Sequence, residues 1–247
     1  MIWAWWTAIL VVVAGGMAYS VWPSVRTRVF HKGVLYRGSA QLNAVALTFD
    51  DGPDPHYTPQ LLDALKFAGI PATFFVIAEK ALNHPEIVER MLAEGHDVAI
   101  HGYRHWFVPV LPPRASIRQV KAASQALTHR FGTHPILYRP TWGAHNLAVE
   151  WSGVLQDTQL VTWSVMVGDW RVTPAAELLT RIRRKWHPGA ILVLHDSDET
   201  WGAQRGAPNE VIQLIPMLAL AVRQQGWEFQ LLKSWLQKTS NEGPQIQ

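Results

Sequence analysis

The sequence contains no cysteine and few charged residues. Without a thiol, the chain can form no disulfide and offers no thiolate to a metal, so a zinc site in it must use histidine and carboxylate ligands. Charged residues make up 17% of the chain, and the dense basic run 181–185 is more simply a solvated helix face than a nucleic-acid surface. We therefore expect no nucleic-acid partner. The hydrophobic content of 48% over 247 residues suits one large α/β domain with a sizeable core.

The N-terminal segment is a long apolar run. Residues 2–22 carry no charge and have tryptophan or tyrosine near both ends, where the aromatic belts of membrane proteins lie. About 20 apolar residues suffice to span a bilayer as a helix, so we predict a transmembrane helix or uncleaved signal anchor over residues 1–22. The alternatives are a buried core helix and a signal peptide cleaved near Gly16-Met17-Ala18. A signal peptide requires basic residues before its apolar region, and no basic residue precedes this run.

Residues 23–43 read as a short basic linker that contains Arg26, Arg28, Lys32 and Arg37. By charge bias alone, these residues favour a cytoplasmic location for the domain that follows. We predict that this domain covers residues 44–237 and that residues 238–247 form a polar tail.

Strand-like and helix-like segments alternate through the domain. The predicted strands are 45–49, 72–76, 98–100, 136–138, 160–163, 190–194 and 228–231. The predicted helices between them are 57–68, 85–93, 115–130, 144–156, 174–186 and 209–225. Strands that alternate with helices of this length pair in parallel through right-handed crossovers. We therefore predict an α/β fold, an incomplete or distorted (β/α) barrel of about seven parallel strands.

In such folds the reactive groups lie at the carboxyl ends of the strands. Ionisable and aromatic residues recur at these ends in the order Asp50, Asp51, His101, His105, Arg139, Asp169, Trp170, His195 and Asp196. This recurrence predicts a shared site at one rim of the barrel.

His101, His105 and Asp51 are the candidate metal ligands. If Gly102 to His105 forms a helical turn, the two imidazoles share a face, and Asp51 completes a set of two histidines and one carboxylate. Three protein ligands with an open position are typical of a catalytic metal site. Zinc is the first choice, and Mn, Co, Ni or Fe(II) would also accept these ligands. The alternatives are two unrelated surface histidines and an Asp-Gly-Pro turn that only ends the strand.

The neighbouring residues suit proton transfer. Asp50 could accept a proton from a metal-activated water as general base, and His195 could protonate a leaving group as general acid. Arg139 could orient Asp50 and hold it ionised. The alternatives are a strand-end histidine bonded to a loop and an ordinary surface arginine.

Several motifs, in order and spacing, resemble those of the polysaccharide deacetylase family with the NodB homology domain, carbohydrate esterase family 4. They are Thr48-Phe49-Asp50-Asp51-Gly52-Pro53, Glu94-Gly95-His96-Asp97 with His101-Gly102-Tyr103-Arg104-His105, Arg139-Pro140-Thr141-Trp142-Gly143, and Leu194-His195-Asp196. The resemblance covers residues 43–236. It implies a metal-dependent hydrolase that removes acetyl groups from GlcNAc- or MurNAc-type sugars of a cell-envelope polysaccharide.

The resemblance also implies roles for individual residues. Asp50 is the base, His195 the acid, and the metal ligands are Asp51, His101 and His105. The backbone N–H of Trp142 helps to hold the oxyanion. The side chains of Trp170, Trp142 and Leu194 line the substrate groove.

The chain departs from the family pattern at two positions. Thr141 replaces a usual proline, and Met166 stands where the family often has the aspartate that partners the acid histidine. Asp169 is the candidate replacement for that aspartate. Without any partner, the pKa of His195 would be raised less.

Two other functions stay open on the sequence. One is a deacetylase or deformylase of a lipid-linked amino sugar, which the basic segment next to the membrane would suit. The other is a membrane-tethered, monomeric glycan-binding protein without turnover. For the enzyme, too, we expect an N-acetylated glycan as partner, a monomer, and membrane attachment through the N-terminal helix. The resemblance favours an extracytoplasmic catalytic domain, against the charge bias.

Overall fold

The computed structural model of the protein describes residues 2–241. Its strands are β1 (Ala44–Asp50), β2 (Thr73–Ile77), β3 (Asp97–Gly102), β4 (Leu137–Tyr138), β5 (Gln159–Leu160), β6 (Val165–Met166), β7 (Ala190–His195) and β8 (Glu228–Phe229). Its helices are α1 (Ile2–Ser20), α2 (Trp22–Arg28), α3 (Thr58–Ala68), α4 (Ala78–Asn83), α5 (Pro85–Ala93), α6 (Pro113–Phe131), α7 (Leu147–Trp151), α8 (Ala175–Arg183), α9 (Ala207–Gln224) and α10 (Leu232–Asn241).

The strands form one parallel sheet that curls into an incomplete barrel. The order is β5-β4-β3-β2-β1-β7-β6, and β8 pairs with the start of β1. β1 and β7 run side by side from Val45 opposite Ala190 to Asp50 opposite His195, which brings their carboxyl ends to the same edge. The prediction of an incomplete (β/α) barrel of about seven parallel strands is confirmed.

Side chains alternate across the sheet and fill two separate cores. The larger core lies between the sheet and the helices and includes Leu47, Phe49, Phe74, Ile100 and Leu194. The smaller core fills the barrel interior and consists of Ala46, Phe75, Ala99, Leu137, Val161, Ile191, Leu232 and Trp235. Both faces of the central strands are therefore buried, which explains their nearly continuous apolar sequence.

Several elements differ from the sequence prediction. The helix predicted over 144–156 is limited to α7, because it begins at the Asn146 cap, whose side chain accepts from the Val149 N–H, and gives way to bends and turns from Ser152. The strand predicted over 160–163 shares only Leu160 with the observed two-residue strand β5. The sequence analysis missed β6, α2, α4 and α10, which are short or lie partly in segments assigned as linker or tail. Residues 238–241 of the predicted tail form the last part of α10. Residues 242–247 lie outside the part of the chain that the structure describes.

The N-terminal helix α1 has no buried residue. With α2 it forms a stretch, Ile2–Arg28, that is long and apolar enough to cross a membrane by length and composition. The segment 23–43 is not an extended linker throughout: it contains α2, and its later part makes bridges from Leu35 to Val161 and from Arg37 to Ala190. The domain boundaries stay a prediction.

Trp235 belongs to the smaller core and offers a test of this fold. It is 4% exposed and its indole N–H donates to Gln230 Oε1 at 2.8 Å. We expect Trp235→Ala to lower the free energy of unfolding by about 3–5 kcal/mol, because it leaves a large cavity in the smaller core. Trp151, 76% exposed, is the matched control, and Trp151→Ala should change stability by less than about 0.5 kcal/mol.

The measurement is denaturant-induced unfolding of the full chain in one detergent, followed by circular dichroism. Equal stabilities for the two variants would contradict the assignment of α10 as part of the core.

Candidate active site

A cleft of about 360 Å³ opens at the carboxyl ends of the strands. Its lining contains most of the residues that the sequence analysis placed at this rim. These are Asp50, Asp51, His101, His105, Trp142, Trp170 and His195. The cleft is within the size range of small-ligand sites, and its walls combine aromatic rings with convergent ionisable groups.

The two aspartates enter the cleft because the strand ends between them. Asp50 is the last residue of β1, and Asp51 has a φ of 80°, in the left-handed region. Along a regular strand the two side chains would point to opposite faces, and this change of direction turns both towards the cleft. The next residue must be small, because a Cβ at Gly52 would lie 2.2 Å from Asp196 Oδ2.

Asp196 serves this loop rather than the cleft. Its carboxylate accepts from Thr58 Oγ1 at 2.7 Å, and burial raises the pKa of Asp196 to about 7. It lies at the predicted rim but supports the turn that follows Asp51.

Asp51, His101 and His105 meet at one point. Asp51 Oδ1 lies 3.2 Å from His101 Nε2 and 3.1 Å from His105 Nε2. The ligand atoms of all three residues lie within 4.8 Å of one another. Burial alone would raise the pKa of Asp51, but the nearby imidazoles of His101 and His105 outweigh it and hold that pKa well below its ordinary value.

The tautomer of His101 is consistent with a metal cation between Asp51, His101 and His105. Its Nδ1 lies 2.7 Å from the backbone oxygen of Arg139, which can only accept, so Nδ1 carries a proton. In the neutral ring, Nε2 therefore presents a lone pair to the carboxylate of Asp51. Two facing acceptors repel each other unless a positive charge lies between them, and two imidazoles with a carboxylate suit a divalent transition metal.

His105 reaches this point from a loop and not from a helical turn. The helical turn predicted over Gly102 to His105 is absent, because β3 continues to Gly102 and the chain then bends. The side-chain oxygen of Gln119 accepts from the backbone N–H groups of Tyr103 and Arg104 at 3.0 and 2.9 Å, and it holds the bend in place.

Arg139 is fully buried behind Asp50. Its Nη1 donates to Asp50 Oδ1 at 2.6 Å and to Thr48 Oγ1 at 2.8 Å, and its Nη2 donates to the Thr162 carbonyl at 3.0 Å. The guanidinium also lies 4.0 Å from the ring centroid of Phe75. These contacts fix the direction of the Asp50 carboxylate and balance its charge.

His195 pairs with Asp169 across the cleft from this group. Its Nδ1 lies 3.1 Å from Asp169 Oδ2, which also accepts from the His195 backbone N–H at 2.7 Å. Burial would lower the pKa of His195, but the Asp169 carboxylate outweighs it, and the pKa is raised to about 10. Met166, at the usual position of the family aspartate, lines the cleft instead.

The predicted substrate-contacting residues divide into two groups. Trp142, with a left-handed φ of 53°, places its ring 4.2 Å from that of His105, and the ring of Trp170 lies 5.9 Å from that of His195. Leu194 is different: it is 1% exposed and packs in the larger core. The prediction that its side chain lines the groove is corrected, because alternation along β7 turns Val193 and His195 to the cleft.

The sequence analysis missed other residues of the cleft. Thr200 donates to Asp51 Oδ2 at 2.9 Å and so fixes the second oxygen of that carboxylate. Arg28, Trp163 and Trp201 also line the walls. Arg28 and Trp201 lie at no predicted strand end, so no sequence signal of the kind used above identifies them, whereas Trp163 is the last residue of the strand predicted over 160–163 and does carry that signal.

The comparisons with known proteins agree with this geometry. A family model described as polysaccharide deacetylase matches residues 37–160. The chain is 32% identical over 199 residues to a peptidoglycan-N-acetylglucosamine deacetylase of Bacillus cereus, and the match covers 80% of this chain and 70% of that protein. It is 34% identical over 152 residues to a chitooligosaccharide deacetylase of Rhizobium leguminosarum bv. trifolii, covering 62% of this chain and 71% of that protein.

Solved structures show the same fold. The crystal structure of the Bc1960 peptidoglycan N-acetylglucosamine deacetylase superposes with a TM-score of 0.76 at 28% identity, and the match covers 85% of this chain and 95% of that one. The family model spans half of the chain, and the Bacillus cereus relative matches most of it. The chain therefore belongs to the polysaccharide deacetylase family, a family of hydrolases.

Proposed function

We propose that the protein is a metal-dependent N-deacetylase of GlcNAc- or MurNAc-type sugars of a cell-envelope glycan. The observation that carries this proposal is the meeting of Asp51, His101 and His105 beside the paired carboxylate of Asp50. The names of the relatives, which act on peptidoglycan or chitooligosaccharides, support the substrate class.

Asp51, His101 and His105 would hold the cation, with zinc as the first choice and Mn, Co, Ni or Fe(II) as alternatives. When bound, a divalent cation supplies Lewis acidity and lowers the pKa of bound water towards ~7.

The other residues transfer protons, orient the base or bind the substrate. Asp50 takes a proton from the attacking water as the oxygen bonds to the amide carbon, and Arg139 keeps the Asp50 carboxylate oriented. The backbone N–H of Trp142 donates to the developing oxyanion. His195 gives its proton to the amide nitrogen as the C–N bond breaks, and acetate and the free amine are released. Trp170 provides an apolar wall next to His195.

The contact between Asp169 and His195 favours turnover over simple glycan binding. Met166 motivated the binding-protein hypothesis because the usual aspartate is missing there. Asp169 supplies a carboxylate to the same histidine from another position. We propose Asp169 as the residue that orients His195 and raises its pKa.

We also propose that α1 anchors the protein in a membrane and that the catalytic domain is extracytoplasmic. The relatives named as peptidoglycan deacetylases support this location. The basic residues that follow α1 favour the opposite side. One of them, Arg26, is paired with Glu150 at 3.5 Å in the folded domain.

Substitution of the proposed base and of a ligand should have different effects. We expect Asp50→Asn to abolish acetate release from chitin oligomers while metal content stays near normal, because Asp50 is not a ligand. His101→Ala should lose both metal and activity. His129→Ala, at an exposed histidine on α6, is the matched control and should keep both. Metal analysis of the purified full-length variants and acetate assays are the measurements. Equal metal loss in Asp50→Asn and His101→Ala would overturn the separation of base from ligand.

The pH profile tests the role of Asp169. A general acid works below its pKa, so kcat/KM should fall as pH rises through the pKa of His195, which the Asp169 carboxylate raises. In Asp169→Asn the pKa of His195 falls, and we expect the decline of kcat/KM at alkaline pH to move to lower pH by roughly one to three units. Asp157→Asn, which removes an exposed carboxylate, should leave this decline in place. An unmoved decline in Asp169→Asn would refute the pairing.

The absence of cysteine allows a direct test of location. A single Gln225→Cys substitution places one thiol at an exposed position at the end of α9. We expect a membrane-impermeant maleimide to label this thiol in intact cells, with the unsubstituted chain as background. Labelling only after the cells are permeabilised would place the domain in the cytoplasm.

A further inference from the structure

The helix that follows α1 is fastened to the catalytic domain. Ser24 Oγ donates to the His145 carbonyl at 3.0 Å, and the His145 N–H lies 3.1 Å from the same hydroxyl oxygen. Arg26 Nη1 lies 3.5 Å from Glu150 Oε2, and Glu150 Oε1 lies 2.9 Å from His145 Nε2. Pro23 and Thr27 are buried in the same contact. The helix α2 is thus a fixed part of the domain.

Arg28, the last residue of α2, lines the active-site cleft. Its guanidinium carbon lies 5.6 Å from the ring centroid of Trp163, on the wall that also contains Met166. Among the described residues, no carboxylate forms an ion pair with Arg28, and its side chain is exposed. Among the residues that line this cleft, it is the one lysine or arginine. The cleft therefore contains, in the same lining as Asp51, His101 and His105, a guanidinium that has no ion-pair partner in the part of the chain that the structure describes.

The position of Arg28 along the helix places it near the surface of a membrane that contains α1. The 19 residues of α1 are roughly 28 Å long, which matches the ~30 Å hydrocarbon core of a bilayer. Backbone bonds from Val21 to Met17 and from Val25 to Val21 continue the helix into α2. Arg28 then lies roughly 12 Å beyond Ser20, which is roughly 4–7 Å on the water side of a headgroup layer that is roughly 5–8 Å deep.

A second contact places one edge of the cleft near the end of α1. The Tyr19 hydroxyl, at the end of α1, donates to the Leu111 carbonyl at 2.8 Å. The segment before Leu111 carries the exposed apolar side chains of Trp106, Phe107 and Val110. The ring of Phe107 lies 5.7 Å from that of Trp142 in the cleft. An apolar, aromatic edge of the cleft thus faces the end of the membrane helix, as in interfacial belts.

We propose that Arg28 binds a phosphate group of the substrate, and that the substrate is an N-acetylated amino sugar attached through this phosphate to a membrane lipid. The inference rests on the proposed N-deacetylase function of the same cleft. A guanidinium pairs with phosphate through two parallel hydrogen bonds, and Arg28 lies on the water side of the headgroup layer, where the phosphate next to the sugar of a lipid-linked substrate emerges from the bilayer. The lipid stays in the bilayer beside the aromatic edge while the sugar enters the cleft.

Four substrates test the contributions of the phosphate and of the lipid separately. All carry N-acetylglucosamine: a neutral chitin tetramer, a neutral alkyl glycoside, a soluble nucleoside diphosphate sugar, and a polyprenyl diphosphate sugar. Acetate release is measured with the full chain in lipid nanodiscs. The variants are Arg28→Gln, Arg28→Lys, and Arg114→Gln, the last removing an exposed arginine at the start of α6 as the matched control.

We expect the unsubstituted chain to have its highest kcat/KM on the polyprenyl diphosphate sugar. Arg28→Gln should lower that value by roughly ten- to a hundredfold, mainly through KM, and leave turnover of the two neutral substrates unchanged. Arg28→Lys should restore part of the loss, because it keeps the charge without the paired hydrogen bonds. Arg114→Gln should behave as the unsubstituted chain.

The outcomes that overturn the inference are distinct. Equal losses on neutral and phosphate-bearing substrates would show that Arg28 only supports the cleft. Equal activity on the soluble and the lipid-linked diphosphate sugars would overturn the lipid attachment. In both cases turnover of the chitin tetramer would leave the proposed function standing, whereas failure of the unsubstituted chain on all four substrates would refute the proposed function itself.

Discussion

The site depends on one carboxylate oxygen that faces two imidazole nitrogens. Asp51 Oδ1 lies within 3.2 Å of Nε2 on both His101 and His105, a geometry that requires a positive charge among the three groups. Each partner comes from a different element: the turn after β1, the end of β3, and the loop held by Gln119. Thr200 fixes the second oxygen from a fourth segment. The curled sheet matters because it brings these separate segments to one edge.

A second constraint is the buried ion pair behind the site. Removing Arg139 and Asp50 from water costs free energy, which their attraction and the further hydrogen bonds of Nη1 and Nη2 offset in part, while the buried Nε of Arg139 has no hydrogen-bond partner among the described residues. Thr48 and the Thr162 carbonyl accept two of these bonds, and Phe75 stacks under the guanidinium. The pair therefore holds Asp50 in one direction and joins β1 to the segment after β5. Orientation of the reacting carboxylate is built into the packing of the barrel.

The sequence revealed the parts of this arrangement that local patterns encode. Apolar runs identify the long strands, and polar residues at their ends identify Asp50, Asp51, His101 and His195. The sequence does not reveal the directions of side chains: the left-handed backbone of Asp51 depends on where β1 ends, and the packing of Leu194 against the helix layer depends on how β7 is paired. Two-residue strands such as β5 and β6 have no periodicity to detect. Arg28 was assigned to a linker, because only tertiary contacts fasten α2 to the domain.

The docking of α2 on α7 has a consequence for the range over which the enzyme works. A catalytic domain on a flexible stalk can swivel and search a wide shell around its anchor. Here Ser24 and Arg26 remove that freedom, so with α1 in a bilayer the cleft stays at one height and one tilt. The distance of a sugar from the bilayer, as well as its affinity for the cleft, then determines whether it can be a substrate. A sugar far above the lipid cannot enter the cleft, however well it would fit.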